Sequence, residues 1–427
     1  MKIHIKNGRL IDPANNQDRH ADLFIAAGKV VSIGEEPLGF HANQEIDAQG
    51  LVVCPGFVDL AARLREPGYE YRATLESEMG AAIAGGITSL ACPPDTDPPL
   101  DEPGLVEMLK YRAKSLNQAH VFPVGALTLG LSGETLTEMA ELRDAGCVAF
   151  SHAERPLDNA LVLMRVMQYA ATFDLSVWLR AQDASLSRIG VAHEGEVATR
   201  LGLPGIPACA ETIALSRILQ LAKETGARIH VCRISSSESV EMIREAKKQG
   251  LAVTCDISAN HIHLSEMDIG FFDSNCHLIP PLRSLRDRDA LRRGLKEGVI
   301  DAVCSDHTPV DDDAKLLPFA EAEPGATGLE LLLPLVLKWA EEDKVPLIDA
   351  LSRITRHPAR ILDAGCGHLA RGHAADLCIF DPQGYWKVEP KSLKSQGKNT
   401  PFIGFEMKGR VICTLVGGHV VYRANHS

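Results

Sequence analysis

No stretch of this chain runs to eighteen uncharged apolar residues, so nothing in it reads as a membrane-spanning helix. The opening MKIHIKNGRLIDP alternates apolar and polar residues and lacks the basic region and apolar core of a signal peptide. The expectation is a chain that is neither exported nor membrane-spanning. No CxxC pair occurs among the eleven cysteines, Cys54, Cys92, Cys147, Cys209, Cys232, Cys255, Cys276, Cys304, Cys366, Cys378 and Cys413. An odd number without metal or redox spacing reads as buried thiols in a reducing cytoplasm. Basic residues are in deficit, 44 against 56 acidic, and the formal charge of -12 argues against a general nucleic-acid or membrane-surface binder. Internal repeats, low-complexity segments and long linkers are absent as well.

What is there is enough chain for one large core and a satellite: 427 residues, 45% of them hydrophobic. Short apolar runs at 52–60, 88–94, 120–129, 146–152, 175–182, 228–235, 251–258 and 301–309 alternate with amphipathic stretches such as 211–226 and 239–250. Eight such runs are the number that closes a (β/α)8 TIM barrel, an α/β fold, here assigned to residues 52–366. Residues 1–51 and 367–427 hold short strand patterns with Gly-rich turns instead, which predicts a small β-sandwich built from both chain ends.

Five motifs stand out: PGFVDLAARLREPG (55–68), ITSLACPPDTDPPLD (87–101), SDHTP (305–309), GATGLELLLPL (325–335) and GKNTPFIGFEMKGRVICTLVGG (397–418). Together they resemble bacterial dihydroorotases almost end to end; hydantoinases and allantoinases share the opening motif but not the set. The resemblance implies a TIM barrel with a β-sandwich. In active members it implies reversible closure of N-carbamoyl-aspartate to dihydroorotate by a metal-bound hydroxide. That chemistry needs imidazoles and carboxylates converging on the C-terminal mouth of the barrel.

The matching positions depart from that pattern. Where the family's first strand ends in D-x-H-x-H, this chain has Asp59, then Ala61 without a donor atom and Arg63, a permanent cation. Ala153 stands at the family's bridging carboxylate, and Arg180 and Arg233 stand at its later ligand histidines. Only Asp306 of SDHTP is retained, and one carboxylate cannot hold a catalytic zinc. Of the family's substrate contacts Arg65 is kept, while Asp95 and Ile279 replace asparagines.

An active centre of this type carries roughly +2 from its ions and carboxylates, about the sum of Arg63, Arg180, Arg233 and Asp306. The expectation is that these guanidiniums replace the centre's charge and volume, with an arginine paired to Asp306. Blander readings are assigned elsewhere. His261 and His263 are expected to be satisfied structural histidines, Cys232, Cys255 and Cys304 buried thiols, and His307 a side chain aimed at the helix layer and bonded to backbone. His152, beside the bridging position, could face either the mouth or the helices.

These departures predict a chain that is not an enzyme and holds no metal or cofactor. The resemblance is to dihydroorotase-like chains that serve as non-catalytic partners of aspartate carbamoyltransferase. It implies that this chain is a cytoplasmic structural subunit, a homo-oligomer within a larger hetero-oligomer, that supports the transcarbamoylase catalytic chain. Three alternatives stand beside it: a metal-free binder of an anionic pyrimidine intermediate, an amidohydrolase of reduced metal requirement working through Asp306, and a scaffold like the non-catalytic hydantoinase relatives.

Overall fold

The computed structural model describes residues 1–424. Eight strands form one parallel sheet in chain order: Phe57–Asp59, Ile87–Cys92, His120–Ala126, Ala149–Ser151, Ser176–Leu179, Arg228–Val231, Val253–Ser258 and Ala302–Cys304. The first and eighth are not laddered along their length. They are joined just beyond their ends, where His307 N donates to Ala61 O at 3.0 Å and Arg63 N donates to His307 O at 2.9 Å. The result is a nearly closed barrel, as the eight-run pattern predicts. Its interior is filled by small and aromatic side chains that include Val58, Ala91, Val124, Ala149, Trp178 and Ala302.

The helices pack outside through the expected stripes. Ser237–Lys248 buries Val240, Ile243 and Ala246, and its first turn is capped by the Ser236 hydroxyl, which accepts from Ser239 N. Cys209–Thr225 ends at Gly226, whose φ of +70° is the left-handed cap that glycine adopts without strain. A two-residue parallel pair, Ala192–His193 with Gly205–Ile206, lies between the fifth strand and that helix and was not anticipated.

The apolar run at 52–60 is two strands rather than one. Val52–Pro55 leaves the barrel and pairs antiparallel with Leu377–Phe380 and parallel with Arg9 and Leu10, in the sheet made by the chain ends. The break falls at Gly56, where a Cβ would lie 2.2 Å from the Thr88 side chain; only glycine lets strand one approach strand two there. Alternation cannot reveal this, because both halves are fully buried and read as one apolar run.

Both chain ends build the second layer. Strands Lys2–Lys6, Leu23–Ala26, Lys29–Ile33 and Gln44–Asp47 form a four-stranded sheet. Its inner face, with Ile3, Ile5 and Ile25, meets Leu10, Val53, Leu377 and Leu415 of a six-stranded sheet to make a core separate from the barrel's. Among the described residues no helix is long and apolar enough to cross a membrane.

Eight of the eleven cysteines are buried, as expected; Cys209 is exposed, and Cys232 and Cys366 are partly covered. His261 Nε2 reaches the Pro280 and Pro281 carbonyls, and His263 Nε2 the Leu335 carbonyl at 2.8 Å, so both are structural. His307 does face the helix layer, but its main partner is a carboxylate rather than backbone. Its Nε2 lies 2.6 Å from Glu78 of helix Leu75–Ala84, while Nδ1 accepts from Gly328 N.

Candidate functional site: an arginine cluster at the barrel mouth

Six of the eight strand ends at the mouth, those of strands one, two, four, five, six and eight, contribute a side chain to one ion network. Arg63, beyond strand one, donates through Nε to Asp95 Oδ2 at 2.7 Å, through Nη1 to Thr308 Oγ1 at 3.0 Å and through Nη2 to Glu154 Oε1 at 2.6 Å. Arg233, beyond strand six, places Nη1 2.7 Å from Asp306 Oδ1 and Nη2 2.5 Å from Glu154 Oε1. Arg180, beyond strand five, donates through Nη2 to the Glu154 carbonyl at 2.7 Å, and its Nε meets Glu154 Oε2 at 2.5 Å. That last contact is an ion pair out of hydrogen-bond alignment, since neither atom has a hydrogen-bond partner. The three guanidiniums are 5–6% exposed, so they exchange water for carboxylate almost completely.

Glu154 is the hub, and it was not anticipated. In the sequence, Ala153 marks the position of the missing carboxylate. In the structure Ala153 has φ +50°, the chain turns off strand four, and the next residue delivers the carboxylate to the three arginines. The only sequence signal was a glutamate one position away. Burial pushes the Glu154 carboxyl up, but Arg233, Arg180 and Arg63 outweigh it and hold it well below the usual carboxylate range. Arg180 goes the other way: burial lowers it more than Glu154 raises it, the cost of sharing one carboxylate among three cations.

Glu154 and Asp95 also correct the expected charge. Arg63, Arg180 and Arg233 against Glu154, Asp306 and Asp95 give three formal positive and three negative charges, so the network is neutral and does not reproduce the roughly +2 of a metal centre. Counting ligand positions alone missed the two carboxylates that strands two and four bring in.

Between Ala61, Ala153, Arg63 and Arg233 there remains a cavity of about 30 Å³, also lined by Cys232 and Asp256. That is the space of a water molecule, far below the several hundred Å³ of a small-molecule pocket. Arg65 stands at the rim, with Nε donating to the Pro309 carbonyl at 2.8 Å and its terminal nitrogens without a hydrogen bond among the described residues. Burial, and then Arg63, lower it to about 10. Ile279 is half-buried and does not line the cavity. His152 is occupied by Thr128 Oγ1 and the Arg155 carbonyl. Cys304 donates toward the Ile257 carbonyl, and burial pushes its thiol far up, so it supplies no nucleophile.

Four of these residues, Arg65, Ala153, Arg233 and Asp306, are non-glycine residues at φ between +50 and +62°. Such backbone costs roughly 1–3 kcal/mol apiece and collects at functional sites. The mouth therefore keeps the strained frame of an active site with a different set of side chains on it.

A divalent metal centre does not fit this set. The positions that would carry donors offer two methyl groups and three guanidiniums, and Asp306 is held by Arg233. Among the described residues no group of three or more His, Cys, Asp or Glu side chains could hold a metal ion. Dialysis against a chelator is accordingly expected to leave the melting temperature unchanged, with less than stoichiometric zinc in the purified chain. A melting temperature that falls on chelation and recovers with zinc would show a metal held here.

Comparison with known proteins places the chain. A family model described as dihydro-orotase-like matches residues 50–239, and one for the amidohydrolase family matches residues 225–422. A dihydroorotase-like protein of Pseudomonas aeruginosa is 46% identical over 99% of this chain and 100% of that protein. A dihydroorotase of Syntrophus aciditrophicus is 39% identical over 99% and 100%. Among solved structures, the L-hydantoinase of Arthrobacter aurescens superposes with a TM-score of 0.89 at 26% identity, covering 99% of this chain and 96% of that one.

The expectation that the chain is not an enzyme is overturned by these relatives. Several chains about 40% identical along nearly the whole length are named dihydroorotase, and the solved L-hydantoinase shares the whole fold, which points to an enzyme. Missing ligands argue against one mechanism, attack by a metal-bound hydroxide, and do not exclude other chemistry. The chain belongs to the dihydroorotase-like family of amidohydrolases.

Proposed function

We propose that this dihydroorotase-like chain acts in pyrimidine synthesis as an assembly partner of the aspartate carbamoyltransferase catalytic chain, through its outer surfaces. The observation that supports this reading is the closed, neutral network of Arg63, Arg180 and Arg233 on Glu154, Asp306 and Asp95. It fills the space of the metal centre with internal ion pairs, while the barrel, both end sheets and the family's frame motifs are kept. A chain selected for its outer surface needs a rigid interior, and buried ion pairs linking six strand ends supply one. Such a role neither requires nor forbids turnover in the mouth.

Co-expression with the aspartate carbamoyltransferase of the same cell tests it. The expected result is co-elution as one large complex, with transcarbamoylase activity that falls when this chain is left out. Separate elution, with transcarbamoylase activity indifferent to this chain, would sink the reading. Dihydroorotate formation, followed in the same preparations with and without chelator, reports on the mouth independently of assembly.

A further inference from the structure

At the base of the barrel, opposite the mouth, two clefts share His357 as a wall. One, of about 440 Å³, is lined by Lys296, Asp349, Arg353 and Arg356; the other, of about 360 Å³, by Arg228, Asp301 and Arg360. Both volumes fall in the range of small-molecule sites, roughly 300–1,000 Å³.

The cations here are not matched as they are at the mouth. Arg356 and Arg360 are exposed and make no ion pair among the described residues; the only side-chain hydrogen bond of Arg356 among them is from Nη1 to the Pro13 carbonyl, at 3.4 Å. Arg353 spends Nη1 on the Ile300 and Asp301 carbonyls and leaves a buried Nε without a partner. Asp301 is already taken, by Lys247 Nζ at 2.6 Å and Cys255 N at 2.8 Å. Arg228 has Asp363 at 3.5 Å. The His357 ring makes no hydrogen bond among the described residues, and burial, then Arg353, press it down to about 4, with Arg356 and Arg360 adding to this against Asp301. In a chain of formal charge -12, the two clefts hold Lys296, Arg228, Arg353, Arg356 and Arg360 against Asp349 and Asp301, five cations to two anions, and so form a net positive site.

We propose that the clefts around His357 bind a phosphorylated small molecule, its phosphate oxygens held by Arg353, Arg356 and Arg360. Guanidinium forks match phosphate geometry, and a group with several negative charges satisfies three of them where a single carboxylate satisfies one. The segment that carries Arg353 is tied to the barrel seam: Val303 N donates to the Arg353 carbonyl at 3.1 Å and Val58 N to the Ile354 carbonyl at 2.8 Å. Occupancy therefore stabilises the junction of strands eight and one from below, at the face where this fold keeps stability rather than chemistry.

Calorimetric titration of the full chain with inorganic pyrophosphate at low ionic strength tests the site. The expected result is saturable binding that weakens about tenfold or more in R356E/R360E, since each lost charge-assisted contact removes a large share of the affinity. R188E, the same charge change at an exposed arginine elsewhere, is expected to leave binding unchanged. Both cleft arginines are exposed, so the double variant should keep its melting temperature; R356Q/R360Q serves if it does not. Absence of saturable binding, binding that survives both double variants, or an equal loss in R188E would overturn the proposal.

Discussion

Replacing Glu154 with glutamine is expected to lower folding stability by about 3–5 kcal/mol, the usual cost of leaving buried charge without its partner. Glutamine keeps the shape and some of the hydrogen bonds, but it leaves Arg63, Arg180 and Arg233 facing only Asp306 and Asp95, three formal cations to two anions. Asp95→Asn should cost much less. The two carboxylates are about equally exposed, 25% and 27%, but Asp95 has one guanidinium partner, which keeps Glu154, whereas Glu154 serves three. Denaturant melts of the variants against the parent give the comparison, and a loss under about 1 kcal/mol for Glu154→Gln would show a network that behaves like a surface one.

The same variant fixes the pH dependence. The folded Glu154 carboxyl lies below its ordinary value of 4.5, so its contribution is complete above that value and is lost as pH falls through the depressed folded one. The stability difference between parent and Glu154→Gln should be flat from neutrality down to the ordinary glutamate range and shrink only in stronger acid. A difference that grows with rising pH across neutrality would contradict the assignment.

The second large effect is expected at Glu78, which is fully buried with His307. It accepts from Ser395 Oγ at 2.7 Å and Gln396 N at 2.9 Å and lies 2.6 Å from His307 Nε2. Glu78→Ala leaves these three partners unpaired at a fully buried position and should cost about 3–5 kcal/mol, with Glu78→Gln less harmful because it can keep part of the bonding. Burial raises this carboxyl, but His307, Ser395 and Gln396 together hold it below its ordinary value, so its contribution too is present at neutral pH and fails only in acid. Because His307 closes the seam through Ala61 and Arg63, amide exchange in Glu78→Ala should speed up at 61–63 and 305–309 ahead of the rest of the barrel. Uniform exchange would mean that the junction does not govern closure.

Glu78 also explains why so much of the family's sequence is kept around a changed mouth. His307 belongs to SDHTP, Gly328 to GATGLE, and Asn399 to GKNTPF. Asn399 Nδ2 donates to the Thr308 and Gly325 carbonyls, both at 3.0 Å, and its Oδ1 accepts from Val310 N. These motifs lock the eighth strand to the first helix and to the C-terminal segment. They hold the frame whichever side chains fill the mouth.

The strand rhythm, the amphipathic helices, the end-built sandwich and the place of each arginine were legible in the sequence. They follow from periods of two and 3.6 residues and from motifs of fixed local spacing. What sits beside an arginine was not legible. Glu154, Asp95 and Thr308 join Arg63 from strands four, two and eight, across separations of 91, 32 and 245 residues, because barrel closure brings strand ends together. Nor does any propensity mark Ala153 for a left-handed backbone, the turn beside which Glu154 supplies the carboxylate that Ala153 itself lacks. Local pattern determined which elements form and which face is buried; only the closed barrel decided which charges meet and that they sum to zero.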